Sequence, residues 1–299
     1  MDRVRKVLYA EEAHAAGIKG AGITAVVLDT GICLHPDYRE RILCFRDFVN
    51  GKKQCYDDGL HGSHVSGILG GDGSCLQGKY CGIAPECQLI HLKVLDRFGQ
   101  GRVEDLLAAI NWVIENQEKY QIRIMNISAG ATREDDEALK LIHAVERAWD
   151  AGVVVVVAAG NMGPEPMTIT IPGNSRKVIT VGASDEFRVR PLKGNASYSG
   201  RGPTRECVCK PELTAPGTNI VSCSAAWQRG KYYQKKSGTS MAAPAVSGCV
   251  ALLLSSEPEL TNVEVKMRLK EAAADIGLPF NRQGWGIPDL RKLLGLPAG

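Results

Sequence analysis

Four polar residues stand on separate segments of the chain, and small residues flank each of them. They are Asp29, His61, Asn161 and Ser240. A carboxylate, an imidazole, a carboxamide and a hydroxyl can serve acyl transfer as orienting group, base, oxyanion donor and nucleophile. Their combination in one chain therefore favours nucleophilic catalysis through a covalent intermediate.

Each of these residues also has an ordinary structural explanation when it is taken singly. Asp29 follows an apolar run and could cap the next turn, Asn161 could form a turn, and Ser240 could be a helix N-cap. His61 and His64 could ligate a metal, but the His-x-x-x-His spacing of a helical zinc site is missing. Glycine beside His61 and Ser240 leaves room for a substrate, so the set as a whole favours catalysis.

Short apolar runs alternate with amphipathic helical patterns along the chain. The runs predict strands over 23–28, 89–95, 123–128, 153–158 and 178–183. Apolar spacing, with a Thr261/Glu264 capping box for the last, predicts helices over 103–120, 135–151, 240–255 and 261–274. The alternation implies an α/β fold with a mostly parallel sheet covered on both faces. Ligands bind at the carboxyl ends of such strands, and Asp29 and Asn161 follow two of them.

Composition and charge narrow the class of protein. The chain has 299 residues, and 36 Lys and Arg against 33 Asp and Glu leave a net charge of +3. This near balance gives no reason to expect nucleic acid or an anionic membrane as partner. The apolar runs are shorter than the ~20 residues of a membrane helix. No composition break resembles a linker, so a single domain over 1–299 is expected.

The four segments resemble the motifs of the subtilases, the S8 family of subtilisin-like serine peptidases. Residues 29–31, 61–65, 159–161 and 238–244 match these motifs in order, and the similarity covers roughly residues 20–293. The resemblance implies one S8 catalytic domain with a three-layer α/β/α subtilisin-like fold and a mostly parallel central sheet. It also implies a serine endopeptidase of broad specificity.

The resemblance assigns a role to each candidate residue. Ser240 becomes the nucleophile, His61 the general base and then acid, and Asp29 the group that orients His61. Asn161 and the backbone N–H of Ser240 become the oxyanion hole. His64 matches a family position that is not catalytic. A relative that keeps the fold only to bind a partner is the competing class, but no member of the triad is missing.

The resemblance also implies a protein or peptide substrate, bound as an extended strand between two edge segments. The specificity pocket has small uncharged walls and a floor near Thr170, so an apolar residue is expected before the scissile bond. A second apolar pocket is expected from Val103, Leu106 and Ala129. The substrate-binding residues that the resemblance implies are Gly99, Gln100, Gly101, Ser128, Ala129, Gly130, Ala158, Ala159, Gly160 and Thr170.

No cofactor is expected to be required, and no metal ligand set is predicted. Many subtilases bind structural calcium through an Asn-rich loop. Residues 70–75 replace that loop here, whereas Asp37 matches one calcium ligand, so the calcium question stays open at this point. Ten cysteines, no export signal and only 28 residues before Asp29 favour a cytoplasmic, pro-domain-less enzyme of the intracellular branch. The alternative is a secreted mature form that has lost its signal and pro-region.

Overall fold

A seven-stranded sheet forms the centre of the computed structural model, which describes residues 1–131, 136–185 and 197–297. Its strands are β1 (Thr24–Asp29), β2 (Ile42–Asp47), β3 (Gln88–Lys93), β4 (Ile122–Ile127), β5 (Val154–Ala158), β6 (Ile179–Ala183) and β7 (Leu213–Ala215). They lie in the order β2-β3-β1-β4-β5-β6-β7, and every pair of neighbours is parallel. The chain starts at β1 inside the sheet, forms β2 and β3 on one side of it, and continues with β4 to β7 on the other side, which is typical of a doubly wound sheet.

The central strands are buried on both faces, which their composition explains. Every residue of β1, β5 and β6 is buried, and β5 reads Val-Val-Val-Val-Ala. β-branched side chains fit a pleated surface that is covered by helices on both sides. The edge strand β2 is only half buried and carries Arg46 and Asp47. Register places Leu28 beside Ile127, so β1 and β4 end at the same edge of the sheet.

Helices cover both faces of the sheet and complete the three-layer α/β/α fold. They are α1 (Asp2–Leu8), α2 (Ala10–Ala15), α3 (Gly62–Gly70), α4 (Val103–Glu115), α5 (Gln117–Tyr120), α6 (Asp136–Asp150), α7 (Thr239–Ser256), α8 (Asn262–Ala272), α9 (Phe280–Gln283) and α10 (Leu290–Leu293). Helices α3 and α7 pack on each other, and so do α4 and α6. Helix α7 also packs closely on the segment after α3, since a Cβ at Gly248 would lie 2.5 Å from the side chain of Ile83.

Helix α7 is the core helix of the protein. Its 18 residues are apolar enough to cross a membrane by length and composition, yet 83% of that stretch is buried inside the protein. It contacts β1, β4, β5, β6 and β7. Its first turn therefore lies at a fixed place beside the sheet, and Ser240 is in that turn.

The predicted elements are confirmed with shifted ends. Each of the five predicted strands is found, and the capping box of Thr261 and Glu264 is formed by both of its hydrogen bonds. The helix predicted over 103–120 is interrupted at Asn116, whose side chain donates to the Trp112 carbonyl at 2.9 Å. The helix predicted to 274 ends at Ala272. Of the helix predicted over 135–151, residue 135 lies outside the described residues.

Several short elements were not predicted. They are α1, α2, α9, α10, β2, β7, a hairpin of β8 (Ile220–Cys223) and β9 (Tyr233–Lys236), and the two-residue pair β10 (Ala273–Ala274) and β11 (Ile287–Pro288). The hairpin lies against α3, and Gly67 in that helix has no room for a Cβ beside Ser222 and Cys223. It therefore belongs to the packing that holds α3 in place.

Candidate active site

The candidate residues lie where secondary structure elements begin or end. Asp29 is the last residue of β1, His61 is the N-cap of α3, and Ser240 is the second residue of α7. Asn161 follows the end of β5 by three residues. The fold thus places the four segments at the carboxyl edge of the sheet, where α/β proteins bind ligands.

Asp29 and His61 form a hydrogen-bonded pair. Nδ1 of His61 lies 2.7 Å from Oδ1 and 2.9 Å from Oδ2 of Asp29, whose side chain is fully buried. Because a carboxylate only accepts, Nδ1 carries the proton and donates it, so Nε2 keeps its lone pair. The side chain of His61 is 26% exposed, and His61 lines a cleft of about 1050 Å³. A general base can therefore act toward that cleft.

The pair shifts the pKa of each partner. Burial by itself would raise the pKa of Asp29, but the charge and hydrogen bond of His61 and the Thr30 N–H at 2.7 Å lower it below its usual range. Burial by itself would lower the pKa of His61, but the carboxylate of Asp29 outweighs burial and raises that pKa above its ordinary value. Asp29 is therefore a stable anion that favours the protonated state of His61.

Thr30 and Asp57 hold the loop that carries His61, and the sequence reasoning did not assign them. The Thr30 hydroxyl donates to Asp57 Oδ1 at 2.7 Å and accepts the Gly62 N–H at 2.9 Å. The other oxygen of Asp57 accepts the Ser63 N–H at 2.8 Å, so it caps α3 from outside the helix. The only available signal was the acidic residue shortly before His61, which is also a common feature of exposed turns.

Ser240 lies against the segment that was predicted to bind substrate. Its hydroxyl donates to the Ser128 carbonyl at 3.1 Å, and the Ser128 hydroxyl donates back to the Ser240 carbonyl at 3.3 Å. Asn126 donates to the Ser128 hydroxyl at 3.0 Å and accepts from Ser247 at 2.9 Å. The structure thus brings Ser240 to residues 128–130, with its proton directed at Ser128 rather than at Nε2 of His61.

Asn161 is oriented by the start of α7. Its Oδ1 accepts the Thr239 N–H at 2.9 Å and the Thr239 hydroxyl at 3.2 Å. These bonds fix which end of the carboxamide is oxygen, and they leave the Nδ2 amide group as the available donor. Gly238 lies close by, where a Cβ would come within 3.3 Å of Nδ2. Glycine is required there also because its φ is +148°.

The segments that were predicted to form the specificity pocket meet at Thr170. A Cβ at Gly130 would lie 2.5 Å from Thr170 Oγ1, and one at Gly160 would lie 2.6 Å from the same atom. Both glycines are therefore needed for Thr170 to fit between the two segments. Ala158 and Ala159 are buried, and the Ala159 carbonyl accepts the Thr170 N–H at 3.0 Å. Ala159 therefore positions Thr170 through its backbone.

The cleft in front of His61 joins the two predicted edge segments. Its predicted lining residues are Gly99, Gln100, Gly101, Val103, Leu106, Ser128, Ala129 and Gly130. Arg97, Phe98, Glu137 and Lys236 also line it, and the sequence reasoning did not assign them. Phe98 is 71% exposed, so the rim of the cleft offers an apolar ring to solvent.

Asp37, which matches a family calcium ligand, lies among nitrogen and sulfur donors. His35 and Cys75 place ligand atoms within 4.8 Å of its carboxylate and of each other. Calcium takes six to eight oxygen ligands, whereas imidazole and thiol suit softer metals. The donors around Asp37 therefore do not fit a calcium ion.

Comparison with known proteins agrees with this architecture and site. The model of the subtilase family, Peptidase_S8, matches residues 20–286. "Serine protease AprX" of Bacillus subtilis (strain 168) is 42% identical over 290 residues, which cover 90% of this chain and 66% of AprX. "Subtilisin BL" of Lederbergia lenta is 32% identical over 280 residues, which cover 94% of this chain and 93% of that protein. The chain thus spans about two thirds of AprX and nearly all of Subtilisin BL.

A solved structure described as "S41 Psychrophilic Protease" superposes with a TM-score of 0.77 at 30% identity, covering 91% of this chain and 92% of that chain. Another, of a cold adapted subtilisin-like serine proteinase, gives a TM-score of 0.71 at 29% identity, covering 91% and 88%. Fold and site define the class as that of the subtilisin-like serine proteases. The chain belongs to the subtilase family and is a hydrolase of this class.

Proposed function

We propose that the chain is a serine endopeptidase that cleaves peptide bonds through an acyl-enzyme on Ser240. The observation that carries the proposal is the buried Asp29–His61 pair, with Nε2 of His61 free at the cleft while Ser240 opens the core helix nearby. The proposal extends to a single catalytic domain over residues 1–299 that needs no redox or nucleotide cofactor.

The first step transfers a proton between Ser240 and His61. The Ser240 hydroxyl leaves the Ser128 carbonyl and donates to Nε2 of His61 as substrate enters, since such contacts tighten in the substrate complex. Oγ attacks the carbonyl carbon while Nε2 takes the proton. His61 then gives that proton to the amine as the C–N bond breaks, and Asp29 stabilises the imidazolium in between.

The second step repeats this chemistry with water. His61 takes a proton from a water molecule, the hydroxide attacks the acyl carbon, and Ser240 leaves with the proton returned by His61. In both steps the developing oxyanion is bound by Nδ2 of Asn161 and by the backbone N–H of Ser240. The Oδ1 bonds to Thr239 orient Asn161 before substrate arrives, so little reorganisation is needed.

The substrate is proposed to be a protein or peptide that lies extended between residues 99–101 and 128–130. Gly130, Gly160 and Ala159 surround Thr170 in the described part of the chain, and these small uncharged residues favour an apolar residue before the scissile bond. Thr170 shortens the specificity pocket, so Leu and Met are favoured over Trp. Val103, Leu106 and Ala129 offer the second apolar pocket, and neither nucleic acid nor a membrane is a proposed partner.

A cytoplasmic location is proposed from the cysteines. All ten are free thiols in the structure, and Cys87, Cys223 and Cys249 are buried. Free thiols persist in reducing compartments. A secreted form is consistent with relatives such as the "Minor extracellular protease Epr" of Bacillus subtilis. Alkylation without reductant followed by mass measurement separates the two, because protected pairs of thiols indicate an oxidising compartment.

A fluorophosphonate probe tests the proposed chemistry, because it labels only an activated serine. We expect stoichiometric labelling of Ser240, no labelling of Ser240→Ala, and strongly slowed labelling of His61→Ala. Ser255→Ala is the matched control, since that serine lies in the same helix with its hydroxyl on the Leu252 carbonyl at 2.8 Å, and this variant should be labelled as the wild type is. A folded wild-type chain that takes no label and cleaves no peptide would indicate the binding-only class instead.

A further inference from the structure

Three residues with different ligand atoms meet at a place away from the candidate active site. His35 and Asp37 lie on the connection between β1 and β2, and Cys75 lies on the segment after α3. Their ligand atoms are all within 4.8 Å of one another. His35 and Asp37 are fully buried, whereas Cys75 is partly exposed. The cluster is therefore buried on one side and open to solvent on the other.

Hydrogen bonds determine which nitrogen of His35 can bind a ligand. Nε2 lies 2.9 Å from the Tyr232 carbonyl. A carbonyl only accepts, so Nε2 carries the proton and Nδ1 has the lone pair. Nδ1 lies 3.6 Å from Oδ1 of Asp37 and accepts only a long bond, 3.2 Å, from the Asp37 N–H. Metal-binding histidines are commonly oriented in this way, with the second ring nitrogen donating to a backbone carbonyl.

The carboxylate of Asp37 is oriented by groups on three segments. Oδ2 accepts the Tyr233 hydroxyl at 2.7 Å and lies 3.5 Å from the Cys223 thiol. Oδ1 accepts the Cys75 N–H at 3.1 Å and the Ser74 hydroxyl at 3.3 Å. The shorter bond thus goes to Oδ2, whereas Oδ1, the oxygen that faces His35, makes only longer ones.

We propose that His35 Nδ1, Asp37 Oδ1 and Cys75 Sγ form a binding site for a zinc ion. Zinc accepts nitrogen, sulfur and carboxylate ligands in a tetrahedral arrangement, and three protein ligands leave the fourth position for water. On binding, the Cys75 thiol loses its proton to solvent and the thiolate becomes the ligand. The long bond from the Asp37 N–H to Nδ1 is replaced by the metal.

A zinc ion at this place would tie distant segments together. Cys75 belongs to the stretch between α3 and β3, and the residues that orient the other two ligands, Tyr232 and Tyr233, lie at the start of β9. Helix α3 carries His61 at its N-terminus and packs on the β8–β9 hairpin. The role inferred for the metal is structural, so binding does not depend on peptidase activity.

Metal titration of the full chain carrying Ser240→Ala tests the site without self-digestion. The metal-free protein in reductant is titrated with Co²⁺, followed by displacement with Zn²⁺. We expect one ion per chain, the visible bands of tetrahedral cobalt and a near-ultraviolet band from thiolate-to-cobalt charge transfer. Zinc at hundredfold excess over its Kd should raise Tm by ~5 °C.

Single substitutions assign the ligands in the same background. Cys75→Ser should abolish the charge-transfer band, and Cys75→Ser and His35→Gln should each weaken zinc binding at least ~tenfold. The double variant Cys207→Ser/Cys209→Ser removes two exposed thiols elsewhere and should bind as the parent does. Tyr233→Phe should weaken zinc binding by roughly tenfold, because it removes only the bond that orients Asp37.

The proposal is overturned by either of two results. One is a folded parent with neither cobalt bands nor a zinc-dependent rise in Tm. The other is a charge-transfer band that persists in Cys75→Ser and disappears in Cys207→Ser/Cys209→Ser, which would assign the metal to the exposed pair of thiols. Neither result bears on the triad, which the fluorophosphonate probe tests separately.

Discussion

Two histidine–aspartate pairs lie at different places in this molecule, and they hold their protons in opposite ways. In the pair of His61 and Asp29, Nδ1 lies 2.7 Å from the carboxylate and donates to it. In the pair of His35 and Asp37, Nε2 donates to the Tyr232 carbonyl, and the unprotonated Nδ1 faces the carboxylate at 3.6 Å. The lone pair of His61 is at Nε2 and is available to the cleft, whereas the lone pair of His35 is at Nδ1 and faces the carboxylate of Asp37.

The difference shows that residue types alone do not define a site. The Asp29 carboxylate selects the tautomer of His61 and the Tyr232 carbonyl selects that of His35, and the tautomer decides which ring nitrogen is available as a base or as a ligand. In His64, Nε2 also faces a backbone carbonyl, that of Ile220 at 3.0 Å, and the whole side chain is buried. It is therefore a packing residue.

The difference between the two pairs is tested most directly by removing the negative charge of Asp29 or of Asp37. Asp29→Asn should lower kcat/KM by about 10⁴-fold, because asparagine favours the wrong tautomer of His61. Asp37→Asn should instead act mainly on stability, lowering the free energy of unfolding by about 2 kcal/mol through its hydrogen bond with Tyr233. Peptide hydrolysis and urea unfolding measure the two quantities.

The loss from Asp29→Asn should not add to that of Ser240→Ala, because the triad acts as a unit. A double variant much slower than Ser240→Ala would contradict the triad. A greater loss of turnover in Asp37→Asn than in Asp29→Asn would reverse the assignment of the two pairs.

The second prediction concerns Asn161, which is proposed to stabilise the oxyanion. Asn161→Ala should lower kcat by roughly 10²–10³-fold with little change in KM, which is typical for the loss of an oxyanion donor in subtilisin-type enzymes. Asn161→Asp keeps an oxygen for the Thr239 N–H but removes the donor, so its loss should be at least as large. Met162→Ala changes the adjacent, 58% exposed residue and should have no effect on kcat.

Both Asn161 variants should keep the wild-type dependence of kcat/KM on pH, since they leave His61 and Asp29 in place. An increase of KM with unchanged kcat would mean that Asn161 binds the ground state, which contradicts a role in the oxyanion hole.

The third prediction uses pH to separate the histidines. Asp29 raises the pKa of His61 above its ordinary value of 6.5, although burial and the positive charge of Lys236 oppose this. The base must be neutral, so kcat/KM should fall tenfold per pH unit below that raised pKa. His64, with a pKa lowered by burial to about 3, stays neutral throughout.

Asp29→Asn should move the acid limb of kcat/KM to lower pH, because it removes the charge that favours protonated His61. A wild-type limb with its midpoint below 6.5, or one that Asp29→Asn leaves in place, would contradict the pair as the source of the base. Asp57→Asn should move the acid limb in the same direction but less, since that carboxylate also contributes to the pKa of His61 but less strongly.

The sequence allowed prediction where one local pattern suffices. Strand β5 follows from the five consecutive valines at 153–157, and the start of α8 follows from the capping box of Thr261 and Glu264. Both depend on residues close together in the chain. The triad and Asn161 were found by motif, and the structure brings Asp29 and His61 into contact and places Ser240 beside Ser128.

Features that depend on distant contacts were beyond sequence reasoning. The edge strand β2 is defined by its pairing with β3, more than 40 residues further along the chain. Helix α4 ends at Asn116, whose side chain bonds the Trp112 carbonyl. The cluster of His35, Asp37 and Cys75 joins residues far apart in sequence, and the spacing of the cysteines contains no sign of it. Tautomers set by backbone carbonyls leave no trace in the sequence either.

The last and smallest effect concerns a residue that belongs to neither pair, and it tests whether specificity is separate from the proton chemistry. Thr170 lies between Gly130 and Gly160, and we propose that it limits the depth of the specificity pocket. Thr170→Gly should raise kcat/KM for Phe over Leu before the scissile bond by about tenfold, the order that one or two side-chain atoms contribute. Matched tetrapeptides measure this ratio, and the acid limb should not move. Thr168→Ala, two residues away with its hydroxyl bonded to the Glu165 carbonyl, should leave the ratio unchanged.

A ratio unchanged by Thr170→Gly would place the pocket elsewhere. A wild-type preference for Arg over Leu would mean that a carboxylate on the cleft rim, such as Glu137, governs specificity instead.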